Sequence, residues 1–124
     1  MIYSAKELIV YQKSFATAMN IFEVSKQFPP EERYALASQI RRSSRSVSLN
    51  LRDAWAKRRY EAHFISKLTD CDGENAETDT SLDFAFACGY ISSQTHEELC
   101  ESNAEITRML NGMIRSPEKF VLKS

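Results

Sequence analysis

The stretch Glu31–Lys57, EERYALASQIRRSSRSVSLNLRDAWAK, decides the fold, because no proline or glycine interrupts it. Ala37, Ile40, Ser44, Val47, Leu51 and Ala54 recur in it at alternating steps of three and four. That spacing places them on one face of a single long helix. Several of these residues are small, so a neighbouring helix can approach closely. Pro30, Glu31 and Glu32 suit the first turn, where proline has no donor to lose and carboxylates meet the positive end of the helix dipole. A break is expected near Arg58–Tyr60.

Upstream, Ala5–Gln27 reads as a first helix with Leu8, Tyr11, Phe15, Ala18 and Phe22 on its inward face. Pro29 and Pro30 stop it near Phe28, since proline disfavours helical geometry in the residue before it. Downstream, Tyr60–Cys88 reads as a third helix with Phe64, Leu68, Cys71, Asn75, Thr78, Leu82 and Ala85 in register. Asn75 and Thr78 make the core polar at their level. Gly73 costs roughly 1 kcal/mol relative to alanine inside a helix and is expected to mark a close crossing or a bend. Gly89 ends this helix in the left-handed conformation. Ser92, Ser93 or Thr95 caps a fourth helix, Thr95 having capping-box spacing to Glu98. Leu99, Asn103, Ile106, Leu110 and Met113 carry its inward face to about Arg115, where Ser116-Pro117 ends it. Phe120 and Leu122 are placed to tie down the tail. Four helices with short connections predict an all-α, antiparallel up-and-down four-helix bundle, with residues 1–124 as one domain.

The totals agree. A chain of 124 residues is sized for one core, and three glycines with three prolines are too few for a turn-rich β-protein. No apolar run approaches the roughly 20 residues of a membrane span, and the start, MIYSAKELIVYQ, has no signal-peptide pattern. The three cysteines are odd in number and widely spaced, which suits buried or half-buried thiols in a reducing cytoplasm.

The net charge of −1 conceals a sorted distribution. Between Arg33 and Arg59 eight bases face one acid, Asp53, for a net of +7. Between Tyr60 and Glu105 eleven acids face Lys67 alone, for a net of −10. Arg41, Arg42, Arg45, Arg52, Arg58 and Arg59, with Trp55 among them, are therefore the candidate contacts to an RNA or DNA backbone; clustered arginine beside an aromatic suits phosphates and stacked bases. The competing reading is internal. A hairpin turning near residue 59 brings Arg42 toward Glu77, Arg45 toward Glu74, and Arg41 toward Thr78 and Asp79. Exposed pairs of that kind are worth about 0–1 kcal/mol each and set register more than stability.

Pro29–Asn50, PPEERYALASQIRRSSRSVSLN, resembles the signature of the bacterial four-helix bundle proteins known as 23S rRNA intervening-sequence or S23 ribosomal proteins. Leu8–Lys13 (LIVYQK), Ala76-Glu77, Asp79-Thr80, Cys88–Ser92 (CGYIS) and Met109–Ile114 (MLNGMI) extend the resemblance over nearly the whole chain. It implies a small bundle that assembles as a homo-oligomer, a ring of five. It also implies kinship with the accessory protein of diversity-generating retroelements, a basic pentameric barrel that binds nucleic acid and a reverse transcriptase. Ser48-Leu49 and Arg52-Asp53-Ala54 stand where the family pattern carries proline and glycine, so helix two is expected to run straighter here.

Other chemistries find less footing. A di-metal carboxylate centre needs two Glu-x-x-His steps, and neither His63 nor His96 follows a glutamate by three; no metal or cofactor is expected. Cys100 follows His96 by one helical turn, while Cys71 and Cys88 have no histidine nearby in sequence. No glycine-rich phosphate loop or serine elbow is present, so neither catalysis nor a small-molecule substrate is expected. The surplus of bulky residues, Tyr3, Phe22, Trp55, Phe84, Phe86 and Tyr90, exceeds what one narrow stripe can hold and favours self-association.

Overall fold

The computed structural model describes residues 2–122. It contains α1 (Ile9–Ser25), α2 (Leu36–Ala56), α3 (Glu61–Ala87) and α4 (Ser93–Arg115), with 3₁₀ turns at Ala5–Glu7, Pro30–Glu32 and Pro117–Lys119 and no strand among the described residues. Each helix packs on the next in the chain, and α1 also packs on α4, whereas neither diagonal pair meets. The helices thus stand at the corners of a square, and the α1–α2 side lies opposite the α3–α4 side. The chain is an all-α four-helix bundle.

Two helix starts differ from the sequence expectation. The first helix is divided: Glu7 Oε2 accepts the N–H groups of Tyr3 and Ser4 at 2.7 and 2.8 Å, and Ser4 Oγ accepts that of Lys6 at 3.2 Å. This capping box closes a 3₁₀ turn, the chain straightens at Leu8 (ψ 135°), and α1 starts only at Ile9. The turn Pro30–Glu32 is likewise separate, because Ala35 adopts φ −120° and ψ −103° before α2 begins at Leu36. From there α2 runs to Ala56 without interruption.

The inward residues expected for the second, third and fourth helices are all buried. Of those expected for the first, Leu8 and Ala18 are buried and Tyr11, Phe15 and Phe22 are not. Its buried face is Val10, Ser14, Thr17, Ala18, Ile21 and Ser25, while Tyr11 and Phe22 are half-buried and Phe15 is 53% exposed. Ser14 and Ser25 satisfy their hydroxyls on the carbonyls of Tyr11 and Phe22, each at 2.9 Å, which lowers the cost of burying them. Small side chains bring α1 close to α2, and the bulky ones are turned to the flank.

The core has two apolar halves. One gathers Val47, Leu51, Trp55, Phe64, Leu68, Ile106 and Leu110; the other gathers Ile21, Phe28, Leu36, Ile40, Leu82 and Leu99. A polar layer lies between them. Ser14 and Ser48 share a hydrogen at 2.9 Å, and Ser43 and Thr78 share one at 2.8 Å. Asn75 Nδ2 donates to the Asn103 carbonyl at 2.9 Å and to Thr107 Oγ1 at 3.0 Å. The side-chain amide of Asn103, 2% exposed, has no hydrogen-bond partner among the described residues.

Gly89 has φ 78°, as its place after α3 requires, and the Ser92 hydroxyl, rather than Thr95, caps α4 by accepting the Thr95 N–H at 3.1 Å. Gly73 marks no close crossing within the chain: it is exposed inside the continuous α3, and an added Cβ meets nothing within 4 Å. Gly73→Ala is therefore expected to raise stability by about 0.5–1 kcal/mol, through the lower entropy of the unfolded chain. A denaturant midpoint that falls instead would show that this position must stay bare.

Candidate nucleic-acid interface

The seven candidate residues separate by where the turn of α2 aims them. Arg42 faces α3, where Nη1 meets Glu74 Oε2 at 3.1 Å and Nη2 meets Glu77 Oε2 at 2.8 Å. One guanidinium thus serves two carboxylates. Its hydrogen bond holds Glu77 below the usual carboxylate range, while burial and the neighbouring Glu77 hold Glu74 above it. The expected Arg42–Glu77 pairing is present, and Glu74 joins it.

Arg41 and Arg45 point elsewhere. Arg41 Nε donates to Ser25 Oγ at 2.7 Å, and its guanidinium lies 5.1 Å from the Phe22 ring centre; that of Arg45 lies 5.5 Å from the same ring. The expected Arg45–Glu74 and Arg41–Asp79 pairings are absent among the described salt bridges. Successive residues of a helix are 100° apart, so positions 41 and 45 face α1 when position 42 faces α3.

Trp55 corrects the sequence reading most sharply. Only 9% exposed, it belongs to the core and cannot offer a ring to a base. Arg58 seals it, with the guanidinium 4.0 Å from the ring centre and Nη1 donating to the Trp55 carbonyl at 2.8 Å. The Arg58 carbonyl in turn accepts the Leu122 N–H at 3.1 Å, which ties the C-terminal segment to the turn after α2. Arg52 and Arg59 are exposed, and neither they nor Arg45 makes a salt bridge among the described residues. Of the six candidate arginines only Arg42 makes a salt bridge among the described residues, and Arg45, Arg52 and Arg59 make no side-chain hydrogen bond there either.

Arg45 flanks an apolar groove. A hollow of about 330 Å³ between α1 and α2 is lined by Phe15, Ala18, Met19, Arg45, Ser48 and Leu49. Phe15, Met19 and Leu49 are 53%, 45% and 68% exposed. This surface is therefore apolar at its floor and cationic at its rim. The signal for it was Leu49, which falls between the inward positions Val47 and Leu51. Of the bulky residues expected at the surface, Tyr3, Phe84 and Phe86 are exposed. Phe22 and Tyr90 are half-buried, Tyr90 donating to Glu32 Oε2 at 2.9 Å to close the far end.

The thiols are dissimilar. Cys71 is buried and Cys100 half-buried, but Cys88 is exposed, against expectation, because it follows α3 at its open end. Burial pushes the Cys71 thiol up to about 12. Burial, then Asp79 and Asp83, push the Cys100 thiol up to about 11. Neither holds the thiolate that nucleophilic chemistry requires near neutrality.

No helix among the described residues is long and apolar enough to cross a membrane. The family model described as 23S rRNA-intervening sequence protein matches residues 6–112. A crystal structure from Bacteroides thetaiotaomicron, described as a protein with unknown function from the S23 ribosomal protein family, superposes with a TM-score of 0.78 at 29% identity. That match covers 86% of this chain and 96% of the other. No curated protein matches the sequence.

Proposed function

This chain belongs to the 23S rRNA-intervening sequence protein family, and from that premise we propose that it is a non-enzymatic, self-assembling scaffold whose α1–α2 side docks against the next copy. The observation that carries this reading is the groove of Phe15, Met19 and Leu49, three large apolar side chains all at least 45% exposed. Exposed apolar surface of this kind is the usual mark of an interface. Charge supports the direction of docking. Arg45, which makes no salt bridge among the described residues, rims that groove, whereas the eleven acids between Tyr60 and Glu105 lie on α3 and α4, Glu74, Glu77 and Glu105 among them being paired with Arg42 and Lys13. Two different, complementary sides make a heterologous contact, which closes into a ring when the rotation between copies permits. Five copies is the number implied by the family resemblance.

Light scattering and native mass spectrometry of the wild type and of Leu49→Asp test the proposal. The wild type is expected as a closed oligomer, and Leu49→Asp as a monomer of unchanged helicity, since Leu49 contributes nothing to the core. A wild type that stays monomeric at micromolar concentration overturns it. The rival reading, RNA or DNA contact through Arg45, Arg52 and Arg59, rests on the absence of carboxylate partners for these three among the described residues. In a filter-binding titration with single-stranded RNA it requires affinity that falls steeply with salt.

A further inference from the structure

We infer that Asp83, His96 and Cys100 form a binding site for one divalent transition-metal ion of the zinc type, clipping α3 to α4. Asp83 on α3 stands opposite His96 on α4, and Cys100 follows His96 by one turn of α4. His96 Nε2 lies 2.8 Å from Asp83 Oδ1, and the donor atoms of Asp83, His96 and Cys100 all lie within 4.8 Å of one another. Asp79 bears on the Cys100 thiol from the preceding turn. Ligands bound at about 2.0–2.3 Å in a tetrahedron have donor atoms roughly 3.3–3.7 Å apart, so the present spacings bracket the required ones.

The surroundings favour a cation. The Phe86 ring stacks on the His96 imidazole at 4.5 Å and an interplanar angle of 14°, which fixes the plane of the ring and aims Nε2 into the cluster. The hydrogen shared by His96 and Asp83 occupies the place the ion would take. On binding, the Cys100 thiol releases its proton to solvent, and Sγ donates as thiolate beside one imidazole nitrogen and one carboxylate oxygen. Mixed sulfur, nitrogen and oxygen donors suit a borderline ion rather than calcium or magnesium. Three protein donors leave the fourth tetrahedral position to a water molecule, and ligands from both helices still join α3 to α4. The site lies within one chain, and its test is independent of assembly.

Cobalt(II) is the probe, because a thiolate ligand gives it a near-ultraviolet charge-transfer band and tetrahedral geometry gives intense visible bands. The wild type is expected to take up one cobalt per chain with both features, and zinc to displace it. Cys100→Ser should abolish the near-ultraviolet band, and His96→Ala should weaken binding by more than about tenfold, the lower end of what even an outer-shell partner carries. Cys88→Ser should leave the spectrum unchanged. The absence of any cobalt spectrum together with no saturable zinc uptake overturns the assignment. So does a band that survives Cys100→Ser but disappears with Cys88→Ser.

Discussion

Phe64→Ala is expected to lower the unfolding free energy by about 3–5 kcal/mol, the cost of emptying a site filled by a buried aromatic. Phe64 is 0% exposed, and it packs in the apolar half that holds Leu51, Trp55, Leu68 and Leu110. It also supports the tail, since its ring centre lies 6.2 Å from that of Phe120. Total stabilities of small domains run to about 5–15 kcal/mol, so this single change removes a large share. Urea unfolding followed by circular dichroism measures the loss. Phe84→Ala on the same helix is the internal comparison: Phe84 is 57% exposed, and its removal should shift stability by less than about 0.5 kcal/mol. A Phe64→Ala loss below about 1 kcal/mol would mean the cluster around the start of α3 is not close-packed. The tail should loosen as well, because the Phe64–Phe120 contact and the Arg58–Leu122 hydrogen bond hold it at the same end of the bundle.

What could be read from the residues, and what could not, follows from how each feature is encoded. The inward faces of α2, α3 and α4 each place apolar residues at helical spacing with polar neighbours, and period alone selects them. The face of α1 is different. Its buried positions include Ser14, Thr17 and Ser25, all small, and Ser14 and Ser25 return their hydroxyls to the backbone. Hydrophobic periodicity cannot pick out a serine face when Phe15 and Phe22 offer a greasier one. The division of the first helix was readable, since Ser4 and Glu7 already stand at capping-box spacing.

The arginines show the same boundary between local and tertiary information. Pairing α2 with α3 in a hairpin places Arg42 level with Glu77, and that followed from counting residues, whereas the count gave Glu74 to Arg45. Which way round the helix Arg41 and Arg45 point depends on where α1 packs, which the count does not contain. Trp55 beside Arg58 reads identically whether the ring stacks on a base or seals the core; only its burial decides. For Asp83, His96 and Cys100, the step from His96 to Cys100 was visible in the sequence. That an aspartate stands opposite is a property of the α3–α4 register alone.

Asn75→Leu and Asn103→Leu, one layer of the same core, are expected to move stability in opposite directions. Asn75 joins two helices by donating to the Asn103 carbonyl and Thr107 Oγ1. Its loss strips the Thr107 hydroxyl of its donor and leaves polar atoms buried, a cost of about 1–3 kcal/mol. Asn103 carries the opposite balance. Neither Nδ2 nor Oδ1 of its amide has a partner among the described residues, although both are buried, so a leucine of the same branched shape removes a desolvation penalty and should gain about 1–2 kcal/mol. Parallel urea titrations decide it: an Asn103→Leu protein less stable than the wild type means that the amide is satisfied, by ordered water in the core. A gain would raise the question of why a costly amide is kept. The layer separates two apolar halves that could otherwise slide past one another, and polar atoms in a core specify register. On this account Asn103→Leu should raise the urea midpoint while broadening the amide resonances of α3 and α4, as alternative alignments of the two helices become populated.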